Sequence, residues 1–201
     1  MLTDEEGEFL VRVARLAIEE YVSNGRRIKP DCPYESLKEK RGVFVTIRRL
    51  LDGRKELRGC IGFPEPFRSL IEHTVEAAIA AATEDPRFYP LGKDELDSIL
   101  VEVSALTPLE RIEVESPRDY PSKIKVGRDG LVVKWKFLSG LLLPQVPKEF
   151  GWDEVEFLSQ TCLKAGAPPD CWLTEDAVLY RFQAEIFEEE SPRGRVRRVE
   201  P

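Results

Sequence analysis

Leu57-Arg58-Gly59-Cys60-Ile61-Gly62 is the stretch whose reading decides the fold. Its short apolar run reads as a strand. It follows Val43–Leu51, a β-branched and aliphatic run, across Asp52-Gly53, a residue pair suited to the tight turn of a hairpin. Pro64 and Pro66 end the second strand. From Phe67 onward Leu70, Ile71, Thr74, Val75, Ala78, Ala81 and Ala82 recur at i, i+3, i+4 spacing through about four turns of helix. So many alanines suit close packing against a sheet. Asp85-Pro86-Arg87-Phe88 stops that helix, because the residue before a proline avoids helical angles.

Upstream, Thr3 and Glu6 form the pattern of a capping box. The helix that follows places Phe9, Leu10, Val13, Leu16, Ala17 and Tyr21 on one side and ends near Asn24-Gly25. Residues 26–41 form a proline-broken loop with a short helical turn at Glu35-Ser36-Leu37. Downstream, after a helical turn near Lys93–Leu96, Ile99–Leu106 alternates as a strand, with Val101, Val103 and Ala105 on one face and Glu102 and Ser104 on the other. A charged connection runs over 108–121. A second hairpin is expected from Ile124–Val126, a Gly127-Arg128-Asp129-Gly130 turn and Leu131–Phe137, with Gly140–Leu143 as a further strand. Pro144 opens a helical region broken near Gly151. Trp152, Val155, Leu158 and Cys162 stripe the next helix, and Val178–Phe187 is the last strand. The order hairpin, helix, strand thus occurs twice, at 43–107 and 124–188, and Leu57-x-Gly59-x-Ile61 is matched by Leu138-x-Gly140-x-Leu142. The expected class is α+β with a mostly antiparallel sheet, a single domain over 1–201 with a charged, flexible tail from 189 to 201.

The net charge of −7 excludes a broad nucleic-acid footprint, leaving only the tail arginines Arg193, Arg195, Arg197 and Arg198 as an arm for an acidic partner. No apolar run is long enough to span a bilayer, and the N-terminal residues are acidic where a secretory signal would be basic, so a cytoplasmic protein is expected. A charged fraction of 33%, fifteen prolines and a single Met lean towards a thermophile. That matters for Cys32, Cys60, Cys162 and Cys171, since disulfides occur in the cytosol of hyperthermophiles. Cys162 and Cys171 are the closest pair in sequence, which does not decide whether they bond. With no C-x-x-C pair and His73 as the one histidine, no metal site is expected. No phosphate-binding glycine loop, G-x-S-x-G or H-E-x-x-H occurs, and no cofactor is expected.

On a regular strand Arg58, Cys60 and Gly62 share one face, with Leu57, Gly59 and Ile61 on the other. A guanidinium near a thiol favours the thiolate, which would suit acyl transfer, redox or conjugation chemistry at Cys60. The plainer reading makes Cys60 a small buried residue, with Gly59 and Gly62 permitting a bulge or a close helix. A cysteine nucleophile needs a base. His73 falls on the polar side of its helix near Ser69 and Glu76, a surface position, so Glu102 is the better polar candidate if its face lines a cleft; otherwise it faces solvent. Asp85 and Arg87 read as turn residues that pair or cap helices. Alternatively, Arg58 and Arg87 together grip a carboxylate or phosphate. Gln145, just after Pro144, either adds an amide to that pocket or caps the helix that follows.

The chain resembles the AMMECR domain family. The residues that carry the resemblance are Leu57–Gly62, Asp85-Pro-Arg-Phe88, Glu102-Val-Ser104, Leu106-Thr-Pro108, Leu143-Pro-Gln-Val146, Gly151-Trp-Asp153 and Lys164-Ala-Gly166, spanning nearly the whole chain. The resemblance implies two similar strand-and-helix repeats sharing one curved, barrel-like sheet, in two subdomains with a cleft between them. It implies no established reaction. It also implies possible partners, a Memo-like protein related to extradiol dioxygenases and a radical SAM protein. The expected function is a cleft around Arg58, Gly59, Cys60, Ile61, Gly62, Asp85, Arg87, Glu102 and Gln145 that binds a small anionic ligand or a partner segment. The alternatives are a Cys60-dependent enzyme and a non-catalytic interaction module for such a partner.

Overall fold

The computed structural model describes residues 1–199. It has five α-helices and nine strands arranged in two antiparallel sheets, with no closed barrel among the described residues. The α+β class stands, and the strands divide between two sheets where a single curved one was expected. Two compact units follow the same division. The first comprises Met1–Leu106 and the described residues from Glu185 on; the second comprises Thr107–Ala184.

In the first unit, α1 (Asp4–Asn24) starts on the expected capping box, with Thr3 and Glu6 satisfying each other's backbone. Leu10, Val13, Ala14 and Ala17 are buried, whereas Leu16 lies exposed, one position off the apolar stripe. β1 (Val43–Leu51) and β2 (Arg54–Phe63) form the hairpin, turning at Asp52 and Gly53, both with positive φ as a two-residue hairpin turn requires. α2 (Leu70–Thr83) begins three residues later than its apolar spacing predicts, because Ser69 and Glu72 form a second capping box there. β3 (Ile99–Leu106) pairs with β1, and the sheet order is β2-β1-β3-β8-β9. The last two strands are β8 (Ala184–Glu189) and β9 (Val196–Val199). The helices α1 and α2 pack on each other and on the sheet, burying Val43, Val45, Ile47, Val101 and Val103 with Leu10, Leu70 and Ala78.

β9 corrects the expectation of a flexible tail. It pairs with β8, and its arginines are held by carboxylates: Arg197 by Glu188 at 2.6 Å and Arg198 by Asp4 at 2.9 Å. Before the strand, Arg193 holds Glu19 at 2.7 Å and Asp97 at 2.5 Å. Two adjacent arginines, Arg197 and Arg198, hide the strand from a hydrophobic pattern. Residues 200 and 201 of that tail lie outside the described residues. β8 is itself rich in buried acids. Glu189 pairs with the buried Arg15, and Glu185 accepts from Arg41 at 2.6 Å.

The second unit holds the short strand β4 (Glu110–Arg111), the single-turn helix α3 (Tyr120–Lys123), β5 (Gly130–Trp135), β6 (Leu138–Leu142), α4 (Gln145–Phe150), α5 (Glu154–Lys164) and β7 (Ala177–Phe182), with sheet order β4-β7-β5-β6. Two expectations are corrected here. Ile124–Val126 is not a strand; the hairpin is β5–β6, turning at Lys136 and Phe137. The last expected strand is two, β7 and β8, interrupted at Gln183 and belonging to different sheets. A continuous alternation of side chains does not reveal a change of partner. Cys162 on α5 forms a disulfide with Cys171, both buried. Phe157, Leu158, Leu131, Val133, Leu179 and Trp172 surround it, and Trp152 packs at their edge.

The two hairpins share a device. A Cβ on Gly59 of β2 would lie 2.1 Å from the Ala81 carbonyl oxygen of α2. One on Gly140 of β6 would lie 2.4 Å from the Ala165 nitrogen at the end of α5. In each unit a glycine lets the hairpin's second strand touch helix backbone.

Candidate functional site

β2 is an edge strand, so half of its backbone groups have no neighbouring strand. Its pairing with β1 shifts between Ile47 and Arg48: Ile47 faces Gly59 and Arg48 faces Leu57, which leaves Arg58 as the extra residue of a β-bulge. The bulge corrects the expectation that Arg58 and Cys60 share a face through strict alternation. Arg58 donates from Nε and Nη2 to the two oxygens of Glu95 at 2.8 and 2.9 Å, and from Nη1 to the Tyr89 carbonyl at 3.0 Å. These bonds hold the Glu95 carboxyl below its ordinary value.

Asp85 is buried and covers the open edge at Cys60. It accepts the Cys60 N–H at 2.8 Å, and Arg87 Nε at 3.0 Å and Nη2 at 2.7 Å. Arg87 also donates to the Cys60 carbonyl at 3.4 Å. An aspartate and an arginine thus stand in for the missing strand at both backbone polar groups of one residue. The Arg87 bonds hold the Asp85 carboxyl far below the usual carboxylate range. Phe88 lies under both guanidiniums, with ring centroids 5.8 Å from Arg58 and 5.6 Å from Arg87.

Cys60 is half-buried. Thr46 of β1 stands opposite both Cys60 and Glu102 of β3, so the three side chains form a row on one face of the sheet. The Thr46 hydroxyl donates to Cys60 Sγ at 3.3 Å. Burial pushes the Cys60 thiol up, and the nearby Glu102 charge adds to that, while Thr46 and Arg87 oppose it. The Arg58 guanidinium is engaged by Glu95 and the Tyr89 carbonyl, so desolvation prevails at the thiol. Glu102 is also buried, which overturns a solvent-facing role. Burial pushes its carboxyl up against the opposing pull of Arg48, whose Nη2 lies 3.3 Å away.

Gly59 is fixed by the contact with α2, and a side chain on Gly62 would meet the Phe44 ring at 2.2 Å. Ile61 packs against the first core. Gln145 belongs to the second unit, where it opens α4; its Oε1 is buried without a hydrogen-bond partner among the described residues. His73, expected at the surface, is buried. It stacks on Phe63, and its Nδ1 donates to the Arg41 carbonyl at 2.9 Å, which fixes the tautomer. Thr46, Arg48 and Glu95 were not singled out by sequence. For Thr46 the signal was available, as the polar position within the apolar run Val43–Ile47.

The AMMECR1 family model matches residues 11–187. A protein of Thermococcus gammatolerans is 64% identical over 200 residues, covering 98% of this chain and 97% of the relative. One of Methanopyrus kandleri is 57% identical over 197 residues, covering 98% and 94%. The crystal structure of a Pyrococcus horikoshii protein superposes with a TM-score of 0.91 at 57% identity, covering 100% of this chain and 99% of that one. The architecture is therefore that of a two-unit α+β protein with a glycine-bearing hairpin in each unit. The chain belongs to the AMMECR1 family. These relatives come from thermophilic archaea, in keeping with the charge-rich composition. No helix among the described residues is long and apolar enough to cross a membrane.

Proposed function

We propose that the chain is a binding protein whose recognition surface is the row Cys60–Thr46–Glu102 on the first sheet. Its occupant is a small polar molecule, or a short segment of a partner protein, held by neutral hydrogen bonds. The observation that carries this reading is the row itself: Thr46 stands opposite both Cys60 and Glu102 and donates to Cys60 Sγ at 3.3 Å, and burial pushes both the thiol and the carboxyl up. The anionic ligand expected from Arg58 and Arg87 is not part of the reading, because Glu95 and Asp85 already engage both guanidiniums.

Alkylation of the native protein with iodoacetamide, followed peptide by peptide as pH is raised, tests it. Cys60 should react slowly at pH 7 and accelerate only above the ordinary thiol range near pH 8.5. Rapid alkylation at pH 6 would overturn it. Fragment titration monitored at the backbone amides adds a second arm: small amides such as acetamide should perturb Cys60 and Thr46, and a response to carboxylates alone would contradict the proposal.

One observation favours a second reading, a Cys60-dependent enzyme. Glu102 is a carboxylate of raised affinity for protons within electrostatic reach of the thiol, as a general base requires. Under that reading Glu102→Gln slows Cys60 alkylation at pH 8. Removal of a charge that merely opposes the thiolate would speed it instead.

A further inference from the structure

Three arginines surround the Cys60 row, and they differ in how much of the guanidinium is in use. A guanidinium offers two forks of paired N–H groups, one from Nε and Nη2 and one from Nη1 and Nη2. Arg58 commits the first fork to Glu95 at 2.8 and 2.9 Å and breaks into the second by giving Nη1 to the Tyr89 carbonyl. Arg87 commits the first fork to Asp85 at 3.0 and 2.7 Å and also reaches the Cys60 carbonyl with Nη2. Arg48 makes a single side-chain bond, from Nη2 to Glu102 at 3.3 Å, longer than a charge-assisted bond ordinarily is. Because Nη2 carries two hydrogens, one complete fork of Arg48 stays open among the described residues.

The position of Arg48 brings that fork to the row. Arg48 follows Thr46 by two residues on β1, so both side chains rise from one face of the sheet with Cα atoms about 6.7 Å apart. Opposite Arg48 stand Leu57 on β2 and Leu100 on β3, so no carboxylate shares its own row. Its side chain is 34% exposed, enough for a ligand to reach it. Glu102 is the one acid bonded to it among the described residues, and burial pushes that carboxyl up. Lys55, the other cation acting on Glu102, is held by both oxygens of Glu188 at 3.1 Å.

We infer that Arg48 is the carboxylate receptor of the Cys60 row, whose occupant carries a carboxylate close to a neutral amide, as an N-acyl amino acid or a protein's C-terminal residue does. The inference rests on the row being a recognition surface, as proposed above, and adds the charged end of its ligand. The amide meets Thr46 and Cys60 by neutral hydrogen bonds, and the planar carboxylate takes both N–H groups of the open fork. A monoanion suits the place better than a phosphate dianion, which would face Glu102 with twice the charge.

Isothermal titration of the full chain at pH 7 with N-acetylglycine, N-acetylglycinamide and acetate tests this. N-acetylglycine should bind at least tenfold more tightly than either of the others. Arg48→Gln should bring N-acetylglycine to within threefold of N-acetylglycinamide. Arg48→Lys, which keeps the charge without the fork, should lose most of the preference as well. Glu102→Gln should tighten N-acetylglycine at least threefold, because it removes the charge that faces the ligand's own. Equal binding of N-acetylglycine and its amide, or a preference retained in Arg48→Gln, would overturn the inference and leave the row standing. Acetate binding as tightly as N-acetylglycine would also overturn it, and absence of binding by both amides would remove the recognition surface and this inference together. The peptide acetyl-Ala-Ala-Gly with a free carboxylate separates the two sources. Binding at least tenfold tighter than N-acetylglycine assigns the ligand to a partner's C-terminus, and anything weaker assigns it to a small molecule.

Discussion

At the residue scale, Asp85 ties the stretch Leu57–Gly62 to the turn Asp85–Phe88. A buried carboxylate that accepts from a strand-edge amide and an arginine fork at once is hard to replace. Asp85→Ala leaves the Cys60 N–H unpaired and should cost about 2–3 kcal/mol, read as a lower denaturation midpoint. The pH dependence has a definite sign. A depressed folded pKa means that the wild-type advantage is complete above the ordinary aspartate value of 3.8 and is lost as pH falls below it. Equilibrium unfolding at pH 7 and pH 3 should therefore show a smaller difference between wild type and variant at the lower pH. Which of the polar residues would cluster was only half legible. Arg58, Cys60, Asp85 and Arg87 stand out in the sequence, but their pairings do not. A single bulge residue redirects Arg58, and alternation cannot reveal a bulge.

At the element scale, the two glycine contacts make one prediction. Gly59→Ala places a methyl against the Ala81 carbonyl and Gly140→Ala places one against the Ala165 nitrogen. Backbone cannot rotate away as a side chain can, so each should lose more than about 2 kcal/mol in chemical denaturation. The bond between Cys162 and Cys171 ties α5 to the turn at Cys171–Leu173 across a separation of nine residues. Replacing both with serine should remove about 2.5 kcal/mol on chain-entropy grounds, and wild type in strong reductant should fall by a similar amount. Helices and the first hairpin were legible because their caps, periodicity and turn residues act locally. The second hairpin was misplaced by about one strand. Its turn uses Lys136-Phe137, residues that give no turn signal, while the glycines at 127 and 130 do.

At the scale of the whole chain, the fold class followed from element order, whereas the division into two sheets did not. Strand pairing is decided by contacts remote in sequence, and β7 and β8 read as one strand. The closing strand β9 was missed for the related reason that its polar residues find partners only after folding. Truncation after Glu190 removes Arg193, Arg197 and Arg198 together with the pairing to β8. It should lower stability by about 2 kcal/mol or more, with a drop in thermal midpoint. An unchanged midpoint would mean that the strand is dispensable.

The first unit is interrupted in sequence: β8 and β9 arrive only after the 78 residues from Thr107 to Ala184. On the ribosome, α1, the first hairpin and β3 emerge well before Glu185 and Glu189, the carboxylates that neutralise Arg41 and Arg15. During that interval of several seconds two arginines destined for burial have no counter-charge, so the first unit stays incompletely packed until β8 has been made. For this protein the second unit can mature while the first is still waiting, which reverses the usual order of vectorial synthesis.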